Sequence, residues 1–293
     1  MRPLVCPLLA FALGCGEVRT PSPGPEPAAG AQAEPARRDG ILLLAVSGDV
    51  GVEVDPVAIL TPGGLLDPWS IPEDSTFNAR YYRPGTRYAL RVGGVPAGEV
   101  AVVEVLEPAC SDRLAIASAA LTRTLPARWE GLASDAFGAA PAQPPLRPAD
   151  ASETAVLAAL ADSVHAARGA GPDRRRQAEL TALHAVSWNG IASPVLVGTS
   201  NIAFQVENFE QVRSAMVVAE RRDGAYRPVY VWYSNEREAS MQRRALHDAL
   251  DLDGDGVPEL LAMTRYYESW DYTVLRRGAE GWTEIYHGGG GGC

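Results

Sequence analysis

The chain has 293 residues, and its 26 basic against 36 acidic side chains leave a formal net charge of -10. That excess argues against nucleic acid and against an anionic membrane surface as partners. All 26 basic residues are arginine, so no lysine is present to form a Schiff base or to serve a phosphate-binding loop, and two large enzyme classes are excluded.

Met1-Arg2 is followed by an apolar run from Leu4 to Leu13. Such a run has the make-up of a secretory signal and is too short to span a bilayer as a mature helix. It ends in Ala12-Leu13-Gly14-Cys15, a small residue followed directly by cysteine, which resembles the bacterial lipobox. The resemblance implies that residues 1–15 are a lipoprotein signal and that Cys15 is lipidated and becomes the mature N-terminus. It also implies that the chain meets the membrane through that lipid, with Gly16 favouring the outer membrane. An ordinary signal peptide cut nearby is the alternative. Residues 16–39 are rich in Pro, Ala, Gly and Glu with almost no large apolar side chain; they cannot bury a core and read as a disordered tether.

From Ile41 the pattern turns to β, and residues 40–148 read as a β-rich N-terminal domain, a small sheet or sandwich. Ile41 to Val46 is continuously apolar, Thr86 to Val92 alternates with period two, and Glu99 to Leu106 is valine-rich. Gly93-Gly94 and Pro96-Ala97-Gly98 read as the turn between the last two. A Pro-rich stretch, Ala139 to Pro148, marks a boundary or a surface loop. Asp150 and Glu153 have capping-box spacing, and Leu157, Leu160 and Val164 follow at helical intervals until Gly169-Ala170-Gly171-Pro172 stops the segment. One helix is therefore expected within residues 149–172. Arg174-Arg175-Arg176 beside Pro172-Asp173 reads as a solvated loop.

Residues 173–293 carry an internal duplication. Ala182-Leu183-His184 and Ala245-Leu246-His247 begin two segments that continue, after a one-residue gap, as Ser187 to Val197 against Asp251 to Leu261. Gly190 then matches Gly254, and Pro194 matches Pro258. Ala215 to Tyr226 parallels Tyr272 to Trp282 in the same way. Each copy reads as strand, loop, strand, long connection, strand, Gly turn, strand. The fold class is thus mainly β, with an N-terminal sheet or sandwich, one helix and two tandem hairpin-type repeats.

The second copy contains Asp251-Leu252-Asp253-Gly254-Asp255-Gly256-Val257-Pro258-Glu259. Carboxylates at positions 1, 3 and 5 turn inward when a loop wraps tightly, and the glycine at position 6 permits the wrap. Asp251, Asp253, Asp255 and Glu259, with the Val257 carbonyl, make an all-oxygen ligand set that suits calcium better than softer metals. A solvated acidic turn is the alternative. Position 12 is Ala262, so the bidentate acid of an EF-hand is missing, and the flanks read as strands. The pattern D-x-D-G-D-G-x-x-E before an apolar strand resembles the calcium loops of FG-GAP and VCBS repeats, the units of integrin alpha-chain heads and of many bacterial surface proteins. The resemblance covers about a dozen residues and implies one bound Ca2+. In the first copy the ligand positions have become Ser187, Asn189, Ile191 and Val195, so one metal site is expected rather than two.

Tyr266, Tyr267, Trp270, Tyr272, Trp282 and Tyr286 cluster near the C-terminus. They read as cross-strand packing, or alternatively as a platform for sugars or peptides. His184 and His247 fall at matching repeat positions, which suggests a scaffold role. With Cys6 in the signal and Cys15 lipidated, Cys110 and Cys293 are the two remaining thiols, and in an exported protein they are expected to pair. A free thiol or an intermolecular bridge is the alternative. Cys293 follows five glycines, Gly288 to Gly292, a tail that frays unless something holds it. No catalytic motif stands out, so the expected function is that of a membrane-anchored, non-catalytic lipoprotein with a calcium-stabilised ectodomain; the protein or glycan it meets is not legible. The alternative is an envelope hydrolase with a structural calcium site, which requires a cleft where carboxylates or a Ser/His pair outside the loop converge.

Overall fold

The computed structural model describes residues 39–49, 51–71, 74–106, 113–138 and 145–292. Cys15, Cys110 and Cys293 lie outside them, and with them the expected lipidation and disulfide. The first half runs β1 (Gly40–Gly48), β2 (Gly51–Thr61), β3 (Gly64–Leu66), α1 (Asp74–Tyr81), β4 (Arg87–Val92), β5 (Val95–Val105), β6 (Ala115–Leu121) and β7 (Glu130–Ser134). Then come β8 (Leu146–Pro148), α2 (Ala151–Ala167), α3 (Pro172–Arg175), β9 (Glu179–Val186), β10 (Val195–Val206), β11 (Phe209–Arg222) and β12 (Ala225–Arg237). The chain finishes with β13 (Arg243–Leu250), β14 (Glu259–Arg265), β15 (Ser269–Gly278) and β16 (Gly281–Gly292). The protein is mainly β, with 59% of the described residues in strands and 14% in helices.

The N-terminal half is a single sheet, one of the two expected forms, and it closes on itself rather than forming a sandwich. The order β1-β7-β4-β5-β6-β2 closes through an additional β1–β2 pairing, giving a barrel of antiparallel strands with β3 as a short extension of β2. Ile41, Leu43 and Ala45 point into the barrel core, where Phe77 and Tyr81 of α1 and the adjoining Tyr82 join them. Leu42 and Leu44 point outward into a second apolar layer. That two-sided burial is why Ile41 to Val46 of β1 is apolar at every position. Leu42 pairs with Ala58 but Leu43 with Pro56, so Val57 is bulged, and a proline is tolerated in a strand at such an irregularity. Only Gly93-Gly94, with φ of 60° and 74°, makes the β4–β5 turn. Pro96 to Gly98 belong to β5 instead, where Ala97 is bulged between the Arg91–Pro96 and Leu90–Gly98 pairs.

The second half consists of two antiparallel meanders, β9-β10-β11-β12 and β13-β14-β15-β16, with β8 added at the edge of the first. The sheet of this half therefore begins at Leu146, before the helix. Each meander has the strand order that the duplication predicts. The expected long connection is absent: β10 and β11 are joined at a tight turn after the Val206–Phe209 pair. The residues expected to form that connection extend the strands. The meanders pack face to face, Val195, Val197, Met216 and Val218 against Leu246, Leu260, Ala262 and Leu275. The other face of the second meander, through Leu261, Tyr272 and Val274, covers Leu42, Leu44 and Leu132 of the barrel. Period-two alternation along β14 thus serves two different cores.

Helix α2 covers the outer face of the first meander, packing Leu157 on Leu196, Val217 and Ala219. Its capping box forms as the sequence predicts: Asp150 accepts from the Glu153 amide at 2.9 Å, and Glu153 accepts from the Asp150 amide at 2.8 Å. Helix α1 and the single turn α3 are additional to the one helix that the sequence predicts. In α3 the arginine cluster is engaged rather than simply solvated: Arg175 pairs with Asp162, Arg176 with Asp173, and Arg174 lies 4.0 Å from the Phe204 ring centre.

Residues Gly288 to Gly292 do not fray. They continue β16 along β15, with Gly292 opposite Ser269. The Gly289 amide donates to Asp67 at 3.1 Å, and the Trp69 indole donates to the Gly290 carbonyl at 3.1 Å.

Candidate metal centre

The acidic loop joins β13 to β14, closed by the Leu250–Glu259 pair. Two glycines in the left-handed region, Gly254 at φ 82° and Gly256 at φ 86°, let the backbone wrap on itself. Its amides then turn toward the carboxylates. Asp251 accepts from Gly254 at 2.6 Å and from Gly256 at 3.0 Å, Asp253 accepts from Asp255 at 3.2 Å, and Glu259 accepts from Leu252 at 2.8 Å. These bonds fix the side chains while leaving lone pairs on each oxygen for a cation.

One oxygen each from Asp251, Asp253 and Glu259 lies within 4.8 Å of the others. Asp255 is not part of this group. It is exposed, and its Oδ1 accepts from the Val257 amide at 2.7 Å. The three gathered carboxylates are hard oxygen donors on a glycine-permitted turn, a donor set that fits calcium. Glu259 is 2% exposed, and burial pushes its carboxyl up to about 7, with the charge of Asp253 adding to the effect.

A residue that the motif does not include sits against this group. Arg276, on β15, donates from Nε to Glu259 Oε1 at 2.8 Å and pairs through Nη2 with Asp253 Oδ2 at 2.8 Å. Its guanidinium offsets part of the clustered charge and faces the same oxygens that a cation would need. The one available signal was an arginine directly after the apolar run Val274-Leu275, but only the strand ladder brings it to the loop.

In the first meander the corresponding loop, residues 187–194, follows the Val186–Val195 pair and carries no carboxylate. The pairings Leu196–Ala219 and Leu260–Leu275 put Glu220 at the ladder position of Arg276. Glu220 is held there by Arg277 at 2.8 Å and by the Trp282 indole at 2.9 Å, so this one acid joins the two meanders. The one-residue gap in the duplication disappears in the structure: both meanders carry a β-bulge at the same place, opposite Gly198 in the first and opposite Ala262 in the second, so residues 181–187 align with 245–251 without a gap. As a result the ladder equivalent of His184, which pairs with Val197, is Asp248, which pairs with Leu261. Burial pushes the Asp248 carboxyl up to about 7.

A Ser/His pair does occur: His165 Nε2 lies 3.1 Å from Ser200 Oγ. Both residues are fully buried between α2 and the first meander. The aromatic cluster divides by strand face, with Trp282 turned to the first meander and Tyr286 bonded to the Val57 carbonyl of the barrel at 2.6 Å. The chain matches no family model, no curated protein and no solved structure.

Proposed function

We propose that the chain is an exported, lipid-anchored, non-catalytic module whose loop 251–259 holds one calcium ion. The observation that supports this reading is the approach of Asp251, Asp253 and Glu259 to within 4.8 Å of one another. The ion would supply positive charge that draws the end of β13 and the start of β14 together. The chain's own part is to hold the oxygens in place through the amides of Leu252, Gly254 and Gly256. Asp255 and the Val257 carbonyl are the remaining ligands that the motif implies, and Asp255 lies outside the gathered group. With no acid at position 12 and a calcium-rich exterior, affinity is expected at about 10⁻⁴ to 10⁻³ M.

Calcium titration of the ¹⁵N-labelled chain reads those amides directly. The Gly254 and Gly256 signals should shift along a saturating one-site curve, with magnesium far less effective. An unsaturated drift shared with surface carboxylates elsewhere would identify the loop as an acidic turn. The anchored, exported part of the reading rests on the apolar run that ends at Cys15 and on the tether after it. Intact-mass analysis of the chain purified from bacterial membranes should find a diacylated N-terminus at Cys15; an unmodified terminus elsewhere would overturn it.

A further inference from the structure

At the other end of β14, where it turns into β15, a cavity of about 380 Å³ opens between the second meander and the outer face of β1 and β2. That volume lies in the range that takes small organic molecules. Tyr266, Tyr267, Trp270 and Tyr272 line it, and so does Asp55 of β2.

Asp55 is only 4% exposed. Its Oδ2 accepts from the Trp270 indole at 2.7 Å and from the Tyr272 hydroxyl at 2.7 Å. Its Oδ1 is buried with no hydrogen-bond partner among the described residues. A buried carboxylate with an unpaired oxygen, set among aromatic rings, is costly unless something supplies a donor or a positive charge. Burial raises the Asp55 carboxyl to about 6.

We propose that this cavity binds a small organic ammonium ion, a primary amine carrying an apolar or aromatic group, with Asp55 as its counter-ion. The ammonium brings only donors, which suits a wall whose carboxylates, Glu53, Asp55 and Glu268, are acceptors. Aromatic faces attract the cation and accommodate the group it carries. Glu53 and Glu268 also line the cavity against one arginine, Arg265, so its charge is biased toward a cation.

The test titrates the full chain at neutral pH with benzylamine, benzyl alcohol and methyl glucoside, following the Trp270 indole resonance. Benzylamine should bind at least about tenfold more tightly than benzyl alcohol, the difference that a buried ion pair with cation–π support provides. In Asp55→Asn the amine should fall to the level of the alcohol. Asparagine keeps a carbonyl oxygen for Trp270 and Tyr272 while removing the charge. Should that variant fail to fold, the comparison of amine with alcohol in the natural chain decides alone. Equal binding of amine and alcohol, tightest binding of the glucoside, unchanged affinity in Asp55→Asn, or no binding of the amine would each overturn the proposal.

Discussion

Gly289→Ala and Gly290→Ala should each cost the fold about 3–5 kcal/mol, among the largest effects expected of a single methyl group. Both glycines lie in the left-handed region, at φ 65° and 74°, where a Cβ costs roughly 1–2 kcal/mol by itself. The larger part is contact. A Cβ at Gly289 would overlap the Val57 carbonyl oxygen and fall 2.8 Å from that of Pro56, and one at Gly290 would overlap the Trp270 carbonyl. Backbone atoms of β2 and β15 cannot swing aside as a flexible side chain would. Thermal unfolding should therefore drop by roughly 10 °C in either variant. Gly190→Ala is the control, since φ there is 87° but nothing lies within 4 Å of the added atom. It should lose only the conformational part. Equal losses in all three variants would mean that the glycine tail is not docked on the barrel in solution.

Arg276→Met should cost about 2–3 kcal/mol in calcium-free buffer, after allowing for the 32% exposure of the arginine side chain. The variant leaves Glu259, which is 2% exposed, with the Leu252 amide at 2.8 Å as its remaining hydrogen-bond partner among the described residues and no neighbouring cation to offset Asp253. The double variant Arg276→Met with Glu259→Gln should recover much of the loss, because it removes the buried charge together with its partner. Chemical denaturation without calcium measures both. If the double variant is no more stable than the single one, Arg276 acts through packing of its aliphatic stem.

Where the chain's signals are local, the sequence already carries them. The capping box at Asp150 and Glu153, the two-sided apolar run of β1 and the glycine-punctuated acids of the loop each depend on neighbours a few residues apart. What escaped reading depends on distant pairings. Barrel closure needs β7, whose Glu130-Gly131-Leu132-Ala133-Ser134 has no alternation of its own and is a strand because β1 and β4 bond its two edges. Helix α1, rich in poor helix formers such as Asp, Ser, Thr and Asn, is stabilised by burying Phe77 and Tyr81 in the barrel. Glycine is likewise a poor strand former. The tail is a strand because only glycine permits its approach to β2. At the candidate site the acids were legible and Arg276 was not. The loop motif is contiguous, whereas its counter-charge arrives from a neighbouring strand.

The central claim is that the loop takes calcium, and the melting midpoint of four chains with and without the ion tests it most directly. At calcium tenfold above its dissociation constant, linkage adds about 1.4 kcal/mol to the natural chain, a rise of a few degrees. Asp253→Ala should lose that rise while remaining folded without calcium, and Asn189→Ala in the acid-free loop should keep it. Arg276→Met should show a larger rise than the natural chain, because the ion then meets no competing guanidinium and replaces its charge. No calcium-dependent rise in the natural chain, or a rise lost equally in Asp253→Ala and Asn189→Ala, would contradict the account.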